Sequence, residues 1–345
     1  MAERGSAERV QARGPGRVNL IGEHTDYNAG LALPFAIARG VTVTAEPLSG
    51  DRVQAHALDL GERDEFALGA PERAEGWRAF VRGTVAELTA AGYALRPCRL
   101  EITGDLDQGL GLSSSAAMET ALCLALLAVA GEDEPADRRE LAKLCSRVEN
   151  DWVGAETGLL DQLASLYGGP VRIDFASLEI EPVPLELGDW SLVTLDSGAS
   201  HSIAASGYND RRRECRAACA ALDIGTLREA REEDLGRLDD TLAARARHVL
   251  TENARVDAMV AALRDGDLAE AGRLLDASHA SLRDDYESSV PAVERTVAEL
   301  KAAGAAGARM VGGGFGGAVL ALLWPGVVGP SGALVVRPGP PASLV

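Results

Sequence analysis

Apolar residues along the chain form two kinds of run, short runs of strand length and longer runs with helical spacing. The short runs are bounded by Gly, Asn and Pro turns, which predicts strands. They lie at 18–21, 31–35, 41–45, 99–103, 191–195 and 318–324. Helical spacing predicts helices at 77–91 and 115–130, from Pro135 onward, and through an Ala-, Arg- and Leu-rich stretch from about 209 to 301. Strands interleaved irregularly with helices predict an α+β fold of two lobes.

The Pro-rich segment 181–188 separates a mixed first half from a helix-rich second half. A chain of 345 residues is long enough for two domains of about 150 residues each. We therefore expect one domain over residues 1–190 and a second over residues 191–345.

The composition is that of a folded protein, with 46% hydrophobic and 25% charged residues. The formal charge of −18 weighs against partners that attract basic patches, such as nucleic acids and anionic membranes. The N-terminus is polar, and the longest apolar run, 121–130, is too short to span a bilayer. We therefore expect a protein that binds neither nucleic acid nor membrane.

The cysteines are odd in number and lack paired spacing, which indicates reduced thiols rather than disulfides. They are Cys98, Cys123, Cys145, Cys215 and Cys219. Reduced thiols suit the cytoplasm, which is the expected location, and we expect the protein to be a monomer.

Nearly all positive charges are arginines, since Lys143 and Lys301 are the only lysines. Neither lies in a glycine loop, so a phosphate loop of the Walker type, which needs a lysine, is excluded. Any nucleotide bound by this chain would have to be neutralised by a helix dipole, a metal ion and arginine.

A glycine- and serine-rich segment, 104–115, which we call the serine loop, precedes the helix predicted from Ser115. Gly104, Gly109 and Gly111 allow sharp turns. Ser113, Ser114 and Ser115 stand at the start of the helix. The free N–H groups and positive dipole end there attract an anion, and the hydroxyls can bind phosphate or ligate Mg²⁺. The alternative is that serine only caps the helix.

The segment GRVNLIGEHTDYNAG, 16–30, which we call the first motif, concentrates polar side chains in a turn. Glu23, His24 and Asp26 lie within four residues, beside Tyr27 and Asn28. Such a cluster suits a polyol, whose hydroxyls need several directional hydrogen bonds. A zinc site is a weaker alternative, because one histidine flanked by carboxylates is an incomplete ligand set. An Asx-type turn with solvated charges is the other alternative.

Two carboxylates in 149–165 are candidates for chemistry. Glu149 borders the buried helical face formed by Leu141, Leu144, Val148 and Trp152. It could therefore present a carboxylate to a cleft, although most helical glutamates are merely solvated. Asp161 follows a turn at Gly158 and opens an apolar helical pattern. A helix N-terminus stabilises a carboxylate, so Asp161 could equally serve only the helix dipole.

Further along, Tyr208 and Asn209 precede a helix. Near the C-terminus lies a segment with five glycines around Phe315, 312–317, which we call the glycine loop. It allows close backbone approach to a ligand or to the facing lobe. The alternative is a plain loop, but so many glycines cost conformational entropy without a reason.

Taken together, these segments resemble the galactokinases, a family within the GHMP superfamily of small-molecule kinases. GRVNLIGEHTDYN is similar to the sugar signature of that family, GLGLSSSAA to its phosphate loop and ARMVGGGFGG to its third motif. The resemblance extends from about Arg13 to the C-terminus. It implies two α+β lobes with the active site in the cleft between them. It also implies transfer of the γ-phosphoryl group of MgATP to the C1 hydroxyl of galactose, giving galactose 1-phosphate and ADP.

The resemblance also implies roles for individual residues. Asp161 matches the catalytic aspartate, which accepts or orients the proton of the attacking hydroxyl. Arg17 matches the arginine that pairs with it, keeps it ionised and offsets charge on the transferred phosphoryl group. The sugar-binding positions are Glu23, His24, Asp26 and Tyr208.

For the second substrate, ATP, the resemblance implies a triphosphate site in the serine loop. Its residues are Gly109, Gly111, Ser113, Ser114 and Ser115. Ser115 matches the serine that ligates Mg²⁺, and Glu149 matches the second, carboxylate ligand.

The sequence departs from the family at three positions. Val311 stands where threonine is usual, Ala318 where cysteine is common, and Leu160 where methionine is usual. The last change conserves volume. Two rival functions remain open at this point, a kinase of the same scaffold that takes N-acetylgalactosamine or arabinose, and a non-catalytic galactose sensor. Retention of Arg17 and Asp161 argues against the sensor.

Overall fold

A computed structural model of the chain describes residues 9–106, 111–155, 157–199 and 204–345. The strands are β1 (Val10–Asn19), β2 (Leu31–Ala32), β3 (Pro34–Pro47), β4 (Arg52–Ala57), β5 (Glu62–Ala67), β6 (Cys98–Gly104), β7 (Val171–Asp174), β8 (Glu179–Pro182), β9 (Ser191–Asp196), β10 (Ala305–Met310), β11 (Ala318–Leu323), β12 (Leu334–Val336) and β13 (Ser343–Leu344). The α-helices are α1 (Trp77–Ala90), α2 (Ser114–Ala130), α3 (Arg138–Arg147), α4 (Leu160–Tyr167), α5 (Ala204–Leu222), α6 (Asp240–Asp265), α7 (Leu268–Asp284) and α8 (Pro291–Ala302).

The first lobe is built on a six-stranded sheet in the order β13-β1-β3-β6-β4-β5. All of its ladders are antiparallel except β4 with β6. Helix α2 packs on β1 and β3 and is apolar on every side, which is the composition of a core helix. The strand β13, from the C-terminal end of the chain, lies in this sheet beside β1. The division into domains at residue 190 therefore stays a prediction.

The second lobe contains a four-stranded antiparallel sheet in the order β10-β11-β9-β12. All six residues of β11 are buried, as a central strand requires. Helices α7 and α8 pack against β10, and α6 packs against α5 and α7. A small third sheet, in the order β2-β7-β8, completes the α+β fold.

One hydrophobic cluster spans both lobes and brings the three glycine-containing segments together. It joins Ile21 beside the first motif and Leu112 of the serine loop to Val256 of α6 and to Val311 and Leu320 around the glycine loop. Burial of these side chains against one another supplies most of the free energy that holds the segments side by side.

Most predicted elements are confirmed, with differences at their ends. The run 18–21 is not one strand, because β1 ends at Asn19 and the chain turns at Gly22, where φ is 97°. The helix predicted from Pro135 begins at Arg138, because the Asp137 side chain accepts a hydrogen bond from the N–H of Arg139 and caps it. Sequence patterns did not predict seven strands, which are β4, β5, β7, β8, β10, β12 and β13.

The last turn of the helix predicted from Pro135 is a π-helix, Val148–Val153, that follows α3 directly. Such widened turns are rare and often occur at functional sites. This one carries Glu149, which is buried.

All five cysteines are free thiols, as predicted. Both lysines lie in surface ion pairs, Lys143 with Glu140 and Lys301 with Asp276. Among the described residues, no helix combines the length and the apolar character that a transmembrane span needs.

Candidate active site

A cavity of about 480 Å³ lies where the first motif, the serine loop, the start of α4, the start of α5 and the glycine loop meet. Most residues predicted for the site line it. They are Arg17, Glu23, His24, Asp26, Gly111, Ser113, Ser114, Ser115, Asp161 and Tyr208. Glu149 is buried beside the cavity but is not part of its lining. Gly109 lies outside the described residues.

Arg17 and Asp161 form a bidentate ion pair at the centre of the cavity. Arg17 Nε donates to Oδ1 of Asp161 at 2.5 Å, and Nη2 donates to Oδ2 at 2.6 Å. The third nitrogen, Nη1, donates to the carbonyl oxygen of Gly111 at 2.6 Å. Burial lowers the pKa of Arg17, but the charge and hydrogen bonds of Asp161 outweigh it and raise the pKa overall. The guanidinium is therefore a fixed cation between the serine loop and Asp161.

Ser113 does not act as a side-chain cap of α2. It has φ of 60°, and its hydroxyl donates to Oδ2 of Asp161 at 2.6 Å instead of accepting from a helix N–H. The capping alternative for this serine is therefore wrong. Because no side-chain oxygen caps α2, its N-terminal N–H groups remain suited to an anion.

Glu149 is held by two hydrogen-bonded neighbours. Its Oε2 accepts from the hydroxyl of Thr157 at 2.6 Å and from Nε2 of Gln162 at 2.9 Å. Burial raises the pKa of Glu149, and these hydrogen bonds partly offset that rise. The nearby hydroxyl of Ser115 also lowers the pKa of Glu149.

The pair of Ser115 and Glu149 fits Mg²⁺ better than a transition metal. Mg²⁺ takes oxygen ligands, uses one or two carboxylates and fills its remaining positions with phosphate oxygens and water. Among the described residues, no group of three or more His, Cys, Asp and Glu side chains could hold a metal by itself. The zinc alternative for the first motif therefore has no support in the described part of the chain.

Two polar residues of the first motif are buried rather than solvated. Glu23 and His24 are 5% and 4% exposed, which contradicts the alternative of a turn with solvated charges. Oε1 of Glu23 accepts from the N–H of Gly312 at 2.8 Å. Nδ1 of His24 is 2.8 Å from the hydroxyl of Tyr27, and burial lowers the pKa of His24 well below its usual range, so the ring is neutral.

Asp26 lies against Gly158, just before Asp161. A Cβ at residue 158 would lie 1.8 Å from Oδ2 of Asp26, so a glycine is required for this approach. Burial raises the pKa of Asp26 to about 6. The carboxyl group can therefore change its charge near physiological pH.

Tyr208, at the start of α5, packs on the glycine loop. A Cβ at Gly313 would lie 2.7 Å from Cδ2 of Tyr208. The Tyr208 ring centroid is 5.4 Å from that of His24 and 5.6 Å from that of Tyr27. Gly313 therefore allows this aromatic side chain to reach the first motif, a close approach of the kind expected of the glycine loop.

Three supporting residues of the second lobe were not predicted. Arg309 of β10 pairs with Glu23, His248 Nε2 is 3.1 Å from the carbonyl oxygen of Glu23, and Glu252 Oε1 accepts from the N–H of Gly22 at 3.0 Å. Burial alone would raise the pKa of Glu252, but Arg255 and His248 lower it to about 2. Arg309 carried a signal, since it lies in the third motif, ARMVGGGFGG, just before the glycine loop, whereas the other two lie on helix faces without a distinguishing pattern.

Family models match three parts of the chain. The galactokinase galactose-binding signature matches residues 2–47, the GHMP kinases N terminal domain matches residues 79–169, and the GHMP kinases C terminal domain matches residues 259–327. The three matches contain the first motif, the serine loop and the glycine loop, in that order.

Similar proteins cover nearly the whole chain. A galactokinase of Mycobacterium tuberculosis is 43% identical over 319 residues, which is 90% of this chain and 87% of the relative. A galactokinase of Thermotoga maritima is 39% identical over 324 residues, 93% of this chain and 91% of the relative.

Solved structures of kinases also match the chain over nearly its whole length. The structure of Lactococcus lactis galactokinase complexed with galactose matches with a TM-score of 0.88 and 33% identity, over 98% of this chain and 95% of the other. Mevalonate kinase of Methanococcus jannaschii matches with a TM-score of 0.66 at 18% identity, over 93% and 92%, which supports the fold alone. Identity of this extent, over this share of the chain, shows that the chain belongs to the galactokinase family of the GHMP kinases.

Proposed function

We propose that this member of the family transfers the γ-phosphoryl group of MgATP to the C1 hydroxyl of galactose, giving galactose 1-phosphate and ADP. The observation that carries the proposal is the bidentate pair of Arg17 and Asp161, held by Ser113 where the first motif meets the serine loop. Galactose as the acceptor is supported by the matching signature at residues 2–47 and by the Lactococcus lactis relative, whose structure is a complex with galactose.

Asp161 is the group that receives or orients the proton of the attacking hydroxyl. An ionised carboxylate has about four acceptor positions. Three of them are taken, one on Oδ1 by Arg17 and two on Oδ2 by Arg17 and Ser113. One position on Oδ1 remains for the C1 hydroxyl. Arg17 keeps its charge next to the reacting atoms and offsets the negative charge of the phosphoryl group.

The sugar is bound by groups of the first motif and by Tyr208. His24 lines the cavity, and its Nε2 has no hydrogen-bond partner among the described residues, so it is available to a sugar hydroxyl. Glu23 and Asp26 supply carboxylate acceptors, and the Tyr208 ring covers the first motif. Several directional acceptors in one small cavity are what a polyhydroxyl ligand requires.

The triphosphate is bound at the N-terminus of α2 by backbone N–H groups and by Ser114. Ser115 and Glu149 would hold Mg²⁺, which would neutralise phosphate charge when bound. Thr157 and Gln162 orient the Glu149 carboxylate for that role. Gly111 accepts the hydrogen bond from Arg17 that joins this end of the cavity to the catalytic pair.

The test is a coupled assay of ADP release with galactose, N-acetylgalactosamine, arabinose and no sugar. We expect turnover with galactose well above the rate with the other sugars. Faster turnover with N-acetylgalactosamine or arabinose would show that this sugar, and not galactose, is the substrate. Galactose binding without turnover with any sugar would favour a sensor and overturn the proposal.

We also propose that the protein acts as a monomer in the cytoplasm. Its five free thiols suit a reducing compartment. Light scattering coupled to size exclusion would test the first point, since a mass of about 72 kDa instead of 36.0 kDa would indicate a dimer.

A further inference from the structure

A buried carboxyl group with no role in the mechanism above lies behind the proposed metal site. Glu119 is in α2 and has 0% exposure. Its Oε2 accepts from Nε2 of Gln162 at 3.3 Å, whereas its Oε1 has no hydrogen-bond partner among the described residues. A carboxyl group is costly to bury, so its presence in the core of this lobe calls for a reason.

The Gln162 amide connects this carboxyl group to Glu149. Nε2 of Gln162 donates to Glu119 Oε2 and also to Glu149 Oε2, at 3.3 Å and 2.9 Å. An amide nitrogen carries two hydrogens, so each carboxyl group receives one. Gln162 is itself fully buried and is the neighbour of Asp161 in α4.

Helix α2 places two polar residues on the side of Glu149. Ser115 and Glu119 are four residues apart and therefore share one face of the helix. The Ser115 hydroxyl lies near Glu149, and Glu119 is linked to Glu149 through Gln162.

We propose that Glu119 is a positioning residue, which acts through Gln162 to hold the Glu149 carboxylate in place for Mg²⁺. The proposal rests on the metal-ligand role proposed above for Glu149. Without an acceptor at residue 119, one N–H of the buried Gln162 amide loses its partner. The amide can then turn its nitrogen away from Glu149, and the carboxylate loses one of its fixed hydrogen bonds.

A purely structural role for Glu119 predicts a different result. If Glu119 only fills space in α2, its replacement lowers the free energy of unfolding and leaves the affinity for the metal as it is. The two roles are separated by a binding measurement, which does not depend on turnover.

The experiment measures Mn²⁺ bound in the presence of ADP by electron paramagnetic resonance, together with the Mg²⁺ concentration for half-maximal rate. For Glu119→Leu we expect Mn²⁺ affinity to fall about 10-fold, the usual loss when a partner of a metal ligand is removed. The KM for galactose is expected to stay within about twofold, because Glu119 is not among the residues that line the cavity.

Three further variants and a control test whether the effect passes through the link between Glu119 and Gln162. Glu119→Gln keeps a carbonyl oxygen that can accept the Gln162 N–H, so its Mn²⁺ affinity is expected to remain within about threefold of the unmodified protein. Gln162→Met is expected to match Glu119→Leu, and the double variant is expected to be no worse than either alone. Leu88→Ala, a fully buried change in α1 of the same lobe, is the control for general loss of stability.

Each outcome decides the question. An unchanged Mn²⁺ affinity in Glu119→Leu, or a change no larger than that of Leu88→Ala, would overturn the proposal. If Glu119→Leu does not fold, the Mn²⁺ affinity of Gln162→Met is measured instead. An unchanged affinity in that variant would also overturn the proposal. If Glu149→Gln also leaves the affinity unchanged, the metal-ligand role of Glu149 itself is wrong, which is a separate failure.

Discussion

Arg309 and Glu23 form a buried ion pair that joins β10 to the first motif. Arg309 Nη2 is 3.1 Å from Oε1 of Glu23, and Nη1 donates to the carbonyl oxygens of Asn19 and Leu20 at 2.8 and 3.0 Å. Arg309 is 0% exposed. The orientation of a residue proposed to bind sugar therefore depends on a cation from the other lobe, nearly three hundred residues along the chain.

Removing this cation is expected to destabilise the fold. Arg309→Met leaves Glu23 as a buried charge without its partner, which costs about 3–5 kcal/mol of unfolding free energy. Urea unfolding measures the change. The control is Arg264→Met, which breaks an exposed pair with Glu181 and is expected to cost less than about 1 kcal/mol. Equal losses in the two variants would contradict the importance of the buried pair.

Asp161→Asn is expected to lower kcat by about 10²–10⁴, the usual contribution of a positioned acid or base. Arg17 and Ser113 can still contact the side-chain oxygen, so the cavity is expected to keep much of its galactose affinity. Single-turnover kinetics measures the rate of phosphoryl transfer, and calorimetry measures the affinity for galactose. A variant with wild-type kcat would remove Asp161 from the mechanism.

Glu149→Gln is expected to raise the Mg²⁺ concentration for half-maximal rate, because an amide oxygen is a weaker ligand than a carboxylate. A titration of rate against free Mg²⁺ at saturating ATP measures the shift. Glu140→Gln, at an exposed position in α3, is the control and is expected to leave the titration unchanged. If both titrations coincide with that of the unmodified protein, the metal is held elsewhere.

The pKa of Asp26, raised by burial to about 6, predicts how stability depends on pH. The folded state binds this proton more tightly than the unfolded state. The stabilisation from Asp26 is therefore full below about pH 4 and is lost as the pH rises through about 6. At pH 8, Asp26→Asn is expected to be more stable than the unmodified protein, with a free energy of unfolding about 1–2 kcal/mol higher. This difference in the free energy of unfolding should shrink towards pH 4. Urea unfolding of both proteins from pH 4 to pH 8 measures it, and a difference that does not change with pH would show that burial does not raise the pKa of Asp26.

Gly313→Ala is expected to raise the KM for galactose about tenfold with a smaller effect on kcat. The added Cβ would lie 2.7 Å from Cδ2 of Tyr208 and would push that ring away from the first motif. Gly169→Ala is the matched control, because a Cβ there meets no atom within 4 Å. Equal galactose KM values in the two variants would show that Tyr208 does not depend on this approach.

Local patterns predicted the elements that carry strong local signals. The helix at 115–130 and the strand at 318–324 are confirmed, because one is mostly apolar over a helical length and the other is an apolar run of strand length. The strand β5 was missed because it lies at the edge of the first sheet and four of its six residues are charged. The strand β4 was missed because its buried residues, Val53, Ala55 and Ala57, include only one large apolar side chain. The π-helix was missed because its residues continue the spacing of α3, and only the packing around Glu149 widens the turn.

In the candidate site too, residues that lie close together in the sequence were predicted from their pattern, and contacts between distant residues were not. The residues of the first motif and of the serine loop lie close together in the sequence, so their types and spacing were enough to propose polyol and phosphate binding. Ser113 and Asp161 are 48 residues apart, and Arg17 and Asp161 are 144 apart. No spacing rule connects such residues. The pairing of Arg17 with Asp161 was expected only from the family resemblance, and the contact of Ser113 with Asp161 was not expected.

The sequence alone determined that this protein has an α+β fold, that its ATP cannot be held by a Walker lysine, and that its three motifs are those of the galactokinase family. Only the tertiary structure decided that Ser113 binds Asp161 rather than capping α2, that Arg309 neutralises Glu23, and that Gln162 links Glu119 to Glu149. The physical reason is that backbone propensity and apolar spacing act over a few residues. A buried charge or amide instead takes its partner from whatever the packed core brings within hydrogen-bond distance.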